Sequence, residues 1–240
     1  MRTKTLLLAV AALAAGLATS SAQVFSQNIV GYANVPVPSG LSILCNPLQA
    51  GVSNGLNTEV ISPSQLQDSY TFTFWTGTGY TSAQYFNNGD GLGNDWFDPN
   101  TFAVLPTPIV PPGQAWFVQN PLGSNYFTFV GAVTPSPGVT NQIPLPSGLS
   151  FIASELPIAT PVTDSSMNMT LIDSITLLTW NGTAFDSAQY FNNGDGLGDN
   201  WFDPNTFAVL STPTLKIGQG FFYQNPLASN YWTQYLTNSP

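Results

Sequence analysis

The sequence predicts an all-β protein: two tandem small antiparallel β-sandwich or partly open barrel domains from an internal duplication. Three observations predict it. The stretch SAQYFNNGDGLGNDWFDPNTFAVLPTP, Ser82 to Pro108, returns as SAQYFNNGDGLGDNWFDPNTFAVLSTP, Ser187 to Pro213, with 24 of 27 positions identical. Aromatic and β-branched residues come in short runs, the pattern of strands, and no long segment carries helical apolar spacing with caps. The 21 glycines and 20 prolines supply a turn between almost every pair of runs.

The duplication extends over most of the chain. PSGLS at Pro38 to Ser42 recurs at Pro146 to Ser150, an offset of 108, whereas everything from Trp75 and Trp180 onward is offset by 105, so the second copy has lost three residues in between. GQAWFVQNPLGSNYFT, Gly113 to Thr128, matches GQGFFYQNPLASNYWT, Gly218 to Thr233, at 11 of 16 positions. Two copies make a tandem pair, not a solenoid, which needs more stacked units.

The first copy's expected strands are Ile29 to Val37, Leu41 to Asn46, Ser69 to Trp75, Tyr80 to Phe86, Ala115 to Gln119 and Tyr126 to Val130. Their counterparts are Asn141 to Leu145, Leu149 to Ser154, Ile175 to Trp180, Ala184 to Tyr190, Phe221 to Gln224 and Tyr231 to Leu236. GAVTPSPGVT, Gly131 to Thr140, reads as the linker, because it holds small residues and prolines and no large aromatic. The expected division is a signal peptide over 1–22, a first β-repeat domain over 23–135 and a second over 136–240. Copies that share a sheet and form one pseudo-symmetric domain are the alternative.

The opening MRTKTLLLAVAALAAGLATSSAQ places Arg2 and Lys4 before an apolar run and ends on small residues, which predicts export with cleavage near Ala22. No later segment approaches the roughly 20 apolar residues of a membrane helix, so no membrane span is expected. Loss of the signal would leave Lys216 against twelve Asp and Glu, a side-chain charge of 1 − 12 = −11. Nucleic acid and anionic lipid need clustered Lys and Arg, and neither is an expected partner. Charged residues are only 6% of the chain and apolar ones 43%, so a core can form while the surface is left to amides and hydroxyls. That surface favours self-association or attachment to a cell surface or extracellular polysaccharide. Cys45, the single cysteine, can form no intrachain disulfide and reads as a buried, inert thiol in the run LSILC.

The order IVGYANVPVPSGLSILCNPL, then Trp75 with Tyr80 shortly after, then IVPPGQAWFVQN resembles a module of uncharacterised secreted bacterial tandem β-repeat proteins. Those proteins carry GFSLIANPL-like, W-x-G-x-x-Y and L-x-P-G-x-G-F-F motifs. The second copy follows with PSGLSFIASEL, Trp180 with Phe185, and LKIGQGFFYQN. The resemblance implies an exported β-rich protein and no particular activity. The Asn/Gly-rich loop is longer here than in the typical module, so no role for it follows from the family.

Two chemistries are weighed for the doubled loop. Tyr85, Phe86, Trp96 and Phe97 flank it, as do Tyr190, Phe191, Trp201 and Phe202. With Asn88 and Asn193 they form a candidate carbohydrate contact of ring faces and amides. Asp90, Asp95 and Asp98, with Asp195, Asp199 and Asp203, cluster oxygens among glycines as calcium sites do. Yet Leu92 falls where an EF-hand loop needs a ligand, and one carboxylate moves by a residue between the copies. Turn residues capping their own backbone, and aromatics filling a core, are the competing readings. No cofactor beyond possible calcium is implied. The chain has no histidine, which removes His-dependent triads and histidine-bound zinc. A glycoside-hydrolase pair such as Asp90 with Asp98 ranks last, so the expectation is a non-enzymatic surface, matrix or self-assembling structural protein. A carbohydrate-binding protein is the alternative.

Overall fold

Alternation in VGYANVPV points Ala33, Val35 and Val37 inward and leaves Tyr32, Asn34 and Pro36 outside, as a half-buried strand requires. This is β1, Val30–Val37. It pairs antiparallel with β8, Asn125–Ala132, whose Phe127 and Phe129 share the inner face. In the computed structural model, which describes residues 30–87, 91, 93–136, 138–192, 196 and 198–236, this ribbon covers a six-stranded antiparallel sheet. The sheet contains β2 (Gly40–Cys45), β3 (Thr71–Trp75), β4 (Tyr80–Phe86), β5 (Asp95–Phe97), β6 (Val104–Leu105) and β7 (Ala115–Asn120), in the order β2-β7-β3-β4-β5-β6. Phe127 stands edge-on to Tyr70 at 5.7 Å and stacks on Phe72 at 6.1 Å, closing a two-layer sandwich.

The second copy repeats the plan. Its ribbon is β9 (Thr140–Leu145) with β18 (Asn230–Tyr235). Its sheet contains β10 (Gly148–Ala153), β12 (Thr176–Trp180), β13 (Phe185–Phe191), β14 (Asn200–Phe202), β15 (Val209–Leu210) and β17 (Gly220–Asn225), in the equivalent order β10-β17-β12-β13-β14-β15. A small ribbon of β11 (Thr160–Pro161) and β16 (Thr214–Leu215) is added. The three missing residues fall between the second and third strands of the unit: 25 residues, 46–70, separate β2 from β3, and 22, 154–175, separate β10 from β12. The longer connection holds a π turn, Leu56–Val60, that anchors Leu56 and Val60 in the core.

All twelve expected strands are present, within two residues at each described end. The short strands β5, β6, β11, β14, β15 and β16 go beyond them. The linker is shorter than expected, since Gly131 and Ala132 belong to β8 and pair with Gly31 and Val30, and Thr140 opens β9. The expected signal peptide lies outside the described residues. Among the described residues no helix is long and apolar enough to cross a membrane.

The Asn-Pro turn after β7 is pinned by a buried amide. Asn120 Nδ2 donates to the carbonyls of Val37, Pro38 and Gly123 at 3.0–3.2 Å, and its Oδ1 accepts the Leu122 N–H at 2.9 Å. Asn225 repeats this with Leu145, Ala228 and Leu227. One side chain thus ties the ribbon to the sheet and satisfies backbone groups at the turn.

The two units meet through a pseudo-twofold junction. Ala153 N–H donates to Gly113 O and, at the equivalent positions, Cys45 N–H donates to Gly218 O, both at 2.9 Å. Antiparallel bridges Leu44↔Gln219 and Gln114↔Ile152 are equivalent in the same way. Between them runs a row of seven rings: Trp75, Tyr80, Phe117, Phe151, Phe222, Phe185 and Trp180, with neighbouring centroids 4.4–5.9 Å apart. Phe151, Ala153 and Phe222 pack into the same core as the first unit's residues.

Because Asn120 and Asn225 each serve several buried backbone groups, Asn120→Ala and Asn225→Ala should each cost about 3 kcal/mol of stability. Urea unfolding measures this, and a loss within the roughly 0.5 kcal/mol of an ordinary surface change would contradict the pinning role.

Candidate functional site

The doubled segment is a hairpin, β4–β5, extended by β6, and its aromatic residues are interior. Tyr85 and Trp96 face each other across the strands with ring centroids 5.2 Å apart, and Trp96 meets Phe72 edge-on at 5.3 Å. Trp96 is only 1% exposed and Trp201 3%. Tyr190 and Trp201 repeat the pair at 5.4 Å. On the opposite face Phe86 packs on Phe97 and Phe102, and Phe191 on Phe202 and Phe207. Phe97 and Phe202 are buried as well.

The ring platform expected of Tyr85, Trp96, Phe97, Trp201 and Phe202 is therefore not presented to solvent. The reason is that β5 and β14 are covered on both faces, by the sandwich core on one side and by the Phe102 or Phe207 turn on the other. Phe86, Tyr190 and Phe191 are half-buried. Asn88 and Asn193 lie outside the described residues, as do Asp90 and Asp195.

Asp98 and Asp203 act on backbone. Asp98 Oδ1 accepts the N–H groups of Asn100 and Thr101 at 2.8 and 3.0 Å, while Asp98 N–H and C=O bond Ala103 and Phe102. Asp203 does the same with Asn205, Thr206, Ala208 and Phe207. Those backbone donors hold both carboxyls below the usual carboxylate range. The turn ends with Phe102 and Phe207 at φ +57°, a left-handed conformation that this capping sustains. Asp95 and Asp199 are exposed on the rim. Among the described residues no group of three carboxylate, histidine or cysteine side chains could hold a metal ion.

Residues that the sequence reading passed over are placed prominently. Asp68 and Asp173 accept the N–H groups of Asn87 and Asn192 at 2.9 and 3.0 Å and so fix the entry to the Asn/Gly loop. Their recurrence at an offset of 105 was the available signal. Phe102 and Phe207 are each 60% exposed, Val104 67% and Val209 65%. These four apolar side chains stand beside β6 and β15, each the last strand of its sheet. Cys45 is sealed beneath the junction, with its thiol against Ser154 O at 3.9 Å, and burial followed by the Glu155 charge pushes its pKa up.

No protein-family model, curated protein or solved structure matches the chain.

Three outcomes test this placement. Trp96→Ala should cost about 3–5 kcal/mol, the loss that accompanies removal of a buried indole, by chemical denaturation. The depressed Asp98 and Asp203 carboxyls stabilise the fold fully above the ordinary carboxylate pKa of about 4, and that contribution is lost as pH falls through their lower folded values. Asp98→Asn/Asp203→Asn should therefore flatten the acid-side fall of the melting temperature, and an unchanged pH profile would refute the capping role. Cys45 should react with a thiol reagent only in denaturant.

Proposed function

We propose that the protein is an exported, non-catalytic structural component that assembles with copies of itself at a surface or in an extracellular matrix. The observation that carries this reading is the repetition of its apolar surface. Among the described residues 17 large apolar side chains are exposed, and 10 of them form five pairs at equivalent positions: Tyr80/Phe185, Phe102/Phe207, Val104/Val209, Leu122/Leu227 and Tyr126/Tyr231. Scattered single exposures are ordinary, but an exposed set reproduced in both copies marks contact surfaces.

The junction sets where those surfaces point. β2 and β10 are the sheet edges that meet the other unit, so β6 and β15 are the edges turned away from it. A body with the same apolar edge at each end adds partners at both, which gives an open row of copies and not a closed dimer. The edges are two residues long and followed by Pro106 or Ser211 and Pro213, so there is little backbone ladder to extend. Association would rest on Phe102, Val104 and their counterparts. The resemblance to secreted tandem β-repeat proteins and the export signal in the first 22 residues support the extracellular setting.

Light scattering with size-exclusion chromatography tests the proposal. The wild-type mass should rise with concentration, Val104→Lys should halt growth at dimers, and Val104→Lys/Val209→Lys should remain monomeric. A wild type that stays monomeric, or a double variant that assembles like it, overturns the reading.

A further inference from the structure

The pseudo-twofold axis generates two equivalent clefts beside the junction, and they differ in size. One, about 190 Å³, is lined by Pro36, Pro38, Ser42, Trp180, Gly182 and Gly218 among others. Its equivalent, about 530 Å³, is lined by Pro144, Pro146, Ser150, Trp75, Gly77 and Gly113. The offsets of 108 and 105 map these six residues of one lining onto the six of the other. In the small cleft Trp180 Nε1 donates to Leu41 O at 2.8 Å, which ties the indole down over the opening. Lys216 and Ile217 line that cleft, at the positions that Pro111 and Pro112 occupy in the other copy.

The open cleft is not isolated. Trp75 and Gln114 also line a depression of about 430 Å³ toward Pro106 and Ile109. Pro112 and Glu155 are shared with a third, about 420 Å³, bounded by Thr134, Pro135 and Asn141. Three adjoining depressions thus share walls around Trp75 and Glu155. Ser150 lines the middle one but is only 6% exposed, and its hydroxyl is sealed from solvent in the wall. Glu155 is held by Asn141, with its N–H donated to Gln234 Oε1 at 2.9 Å, so its position is fixed before any ligand arrives.

We propose that the Trp75 trough binds a strand of neutral polysaccharide, with the indole face of Trp75 under one sugar ring and Gln114, Ser147 and Glu155 bonding hydroxyls. The chemistry selects that class. A partly exposed indole beside prolines offers a flat apolar floor, which suits the C–H face of a pyranose. Among the residues that line the three depressions Glu155 is the only charged one and none is basic, so acidic glycans and phosphorylated ligands are repelled. Burial raises the Glu155 pKa, against the opposing hydrogen bond from Asn141. The site reaches β6 only at Leu105, whose side chain lies on the opposite face of the strand from exposed Val104, so it stands whether or not the protein assembles.

Affinity electrophoresis in gels that contain galactomannan, a soluble neutral β-glucan or alginate tests it, with poly-L-proline added as a competitor. The wild type should be retarded by at least one neutral polysaccharide and not by alginate. Trp75→Ala should weaken retardation roughly tenfold or more, as removal of a central aromatic anchor does, while Trp180→Ala should leave it unchanged. Because Trp75→Ala also shortens the ring row, Ser147→Trp, an exposed position at the cleft mouth, serves as a second block and should give the same loss in a fully folded protein. No retardation by any neutral polysaccharide, retention by both blocked variants, or a Trp75-dependent complex with poly-L-proline alone would overturn the proposal. Running Val104→Lys/Val209→Lys in the same gels separates this outcome from self-assembly: the double variant should be retarded like the wild type.

Discussion

Seven rings cross the junction from Trp75 to Trp180, and the arrangement of both units follows from how those rings can be brought together. An aromatic pair at these spacings contributes about 0.5–1.5 kcal/mol beyond the area it buries, so the row is a substantial share of what holds the units in one orientation. The two reciprocal backbone bonds, Ala153 to Gly113 and Cys45 to Gly218, contribute about 1 kcal/mol each and act mainly by fixing register. Both acceptor positions are glycines at positive φ. A Cβ on Gly218, at φ +71°, would sit 2.4 Å from Val35 Cγ2, and one on Gly113, at φ +82°, 2.9 Å from Glu155. The motif W-x-G-x-x-Y supplies the ends of the row and P-G-x-x-x-F or I-G-x-x-F-F its middle. The motifs that resemble a secreted repeat module are therefore those that join one repeat to the next.

Symmetry imposes its own requirement at the axis, where a residue meets its counterpart. Ala115 and Gly220 are equivalent, and a Cβ on Gly220 would fall 2.6 Å from Ala115 Cβ and 2.7 Å from Ile43. Only one methyl group fits, which accounts for GQAWF in one copy against GQGFF in the other. Ile43 and Phe151 are likewise equivalent, and only Phe151 is inserted between Phe117 and Phe222, at 4.8 and 4.4 Å. Two phenylalanines would overfill that space.

Strand positions were legible because alternation and turn residues are local. Val30–Val37 and Tyr80–Phe86 announce themselves by pattern, as do their repeats. Strands of two or three residues carry too little periodicity to be read, so Asp95–Phe97 and Val104–Leu105 were hidden inside a segment that looks like one long loop. The same blindness misplaced the aromatic platform. Trp96 beside Asn, Gly and Asp reads as a ring next to polar hydroxyl-binding groups, but what covers Trp96 is Phe72, 24 residues away in sequence and on another strand. Conversely, Trp75 read as the end of a strand, because nothing within the first copy reveals that Leu149 and Phe151 of the second form the opposite wall of its cleft.

The uneven divergence of the two copies follows from the same geometry. Positions near the axis have separated: Ile43 from Phe151, Ala115 from Gly220, Pro111-Pro112 from Lys216-Ile217. Each such pair either meets at the axis or shapes one of the two clefts, where unlike neighbours are required. The hairpin that ends in β6 or β15 lies at the far edge of each sheet and never touches its own counterpart within the chain, so packing asks for no difference there and 24 of 27 positions are shared. Near-identity at the outer edges and divergence at the centre are what a pseudo-symmetric body needs to present one surface twice while opening one cleft and closing the other. The duplicated segment is thus the part of the molecule that the fold leaves free of internal demands, with Phe102, Val104, Phe207 and Val209 exposed on it and its other aromatic residues committed to the core.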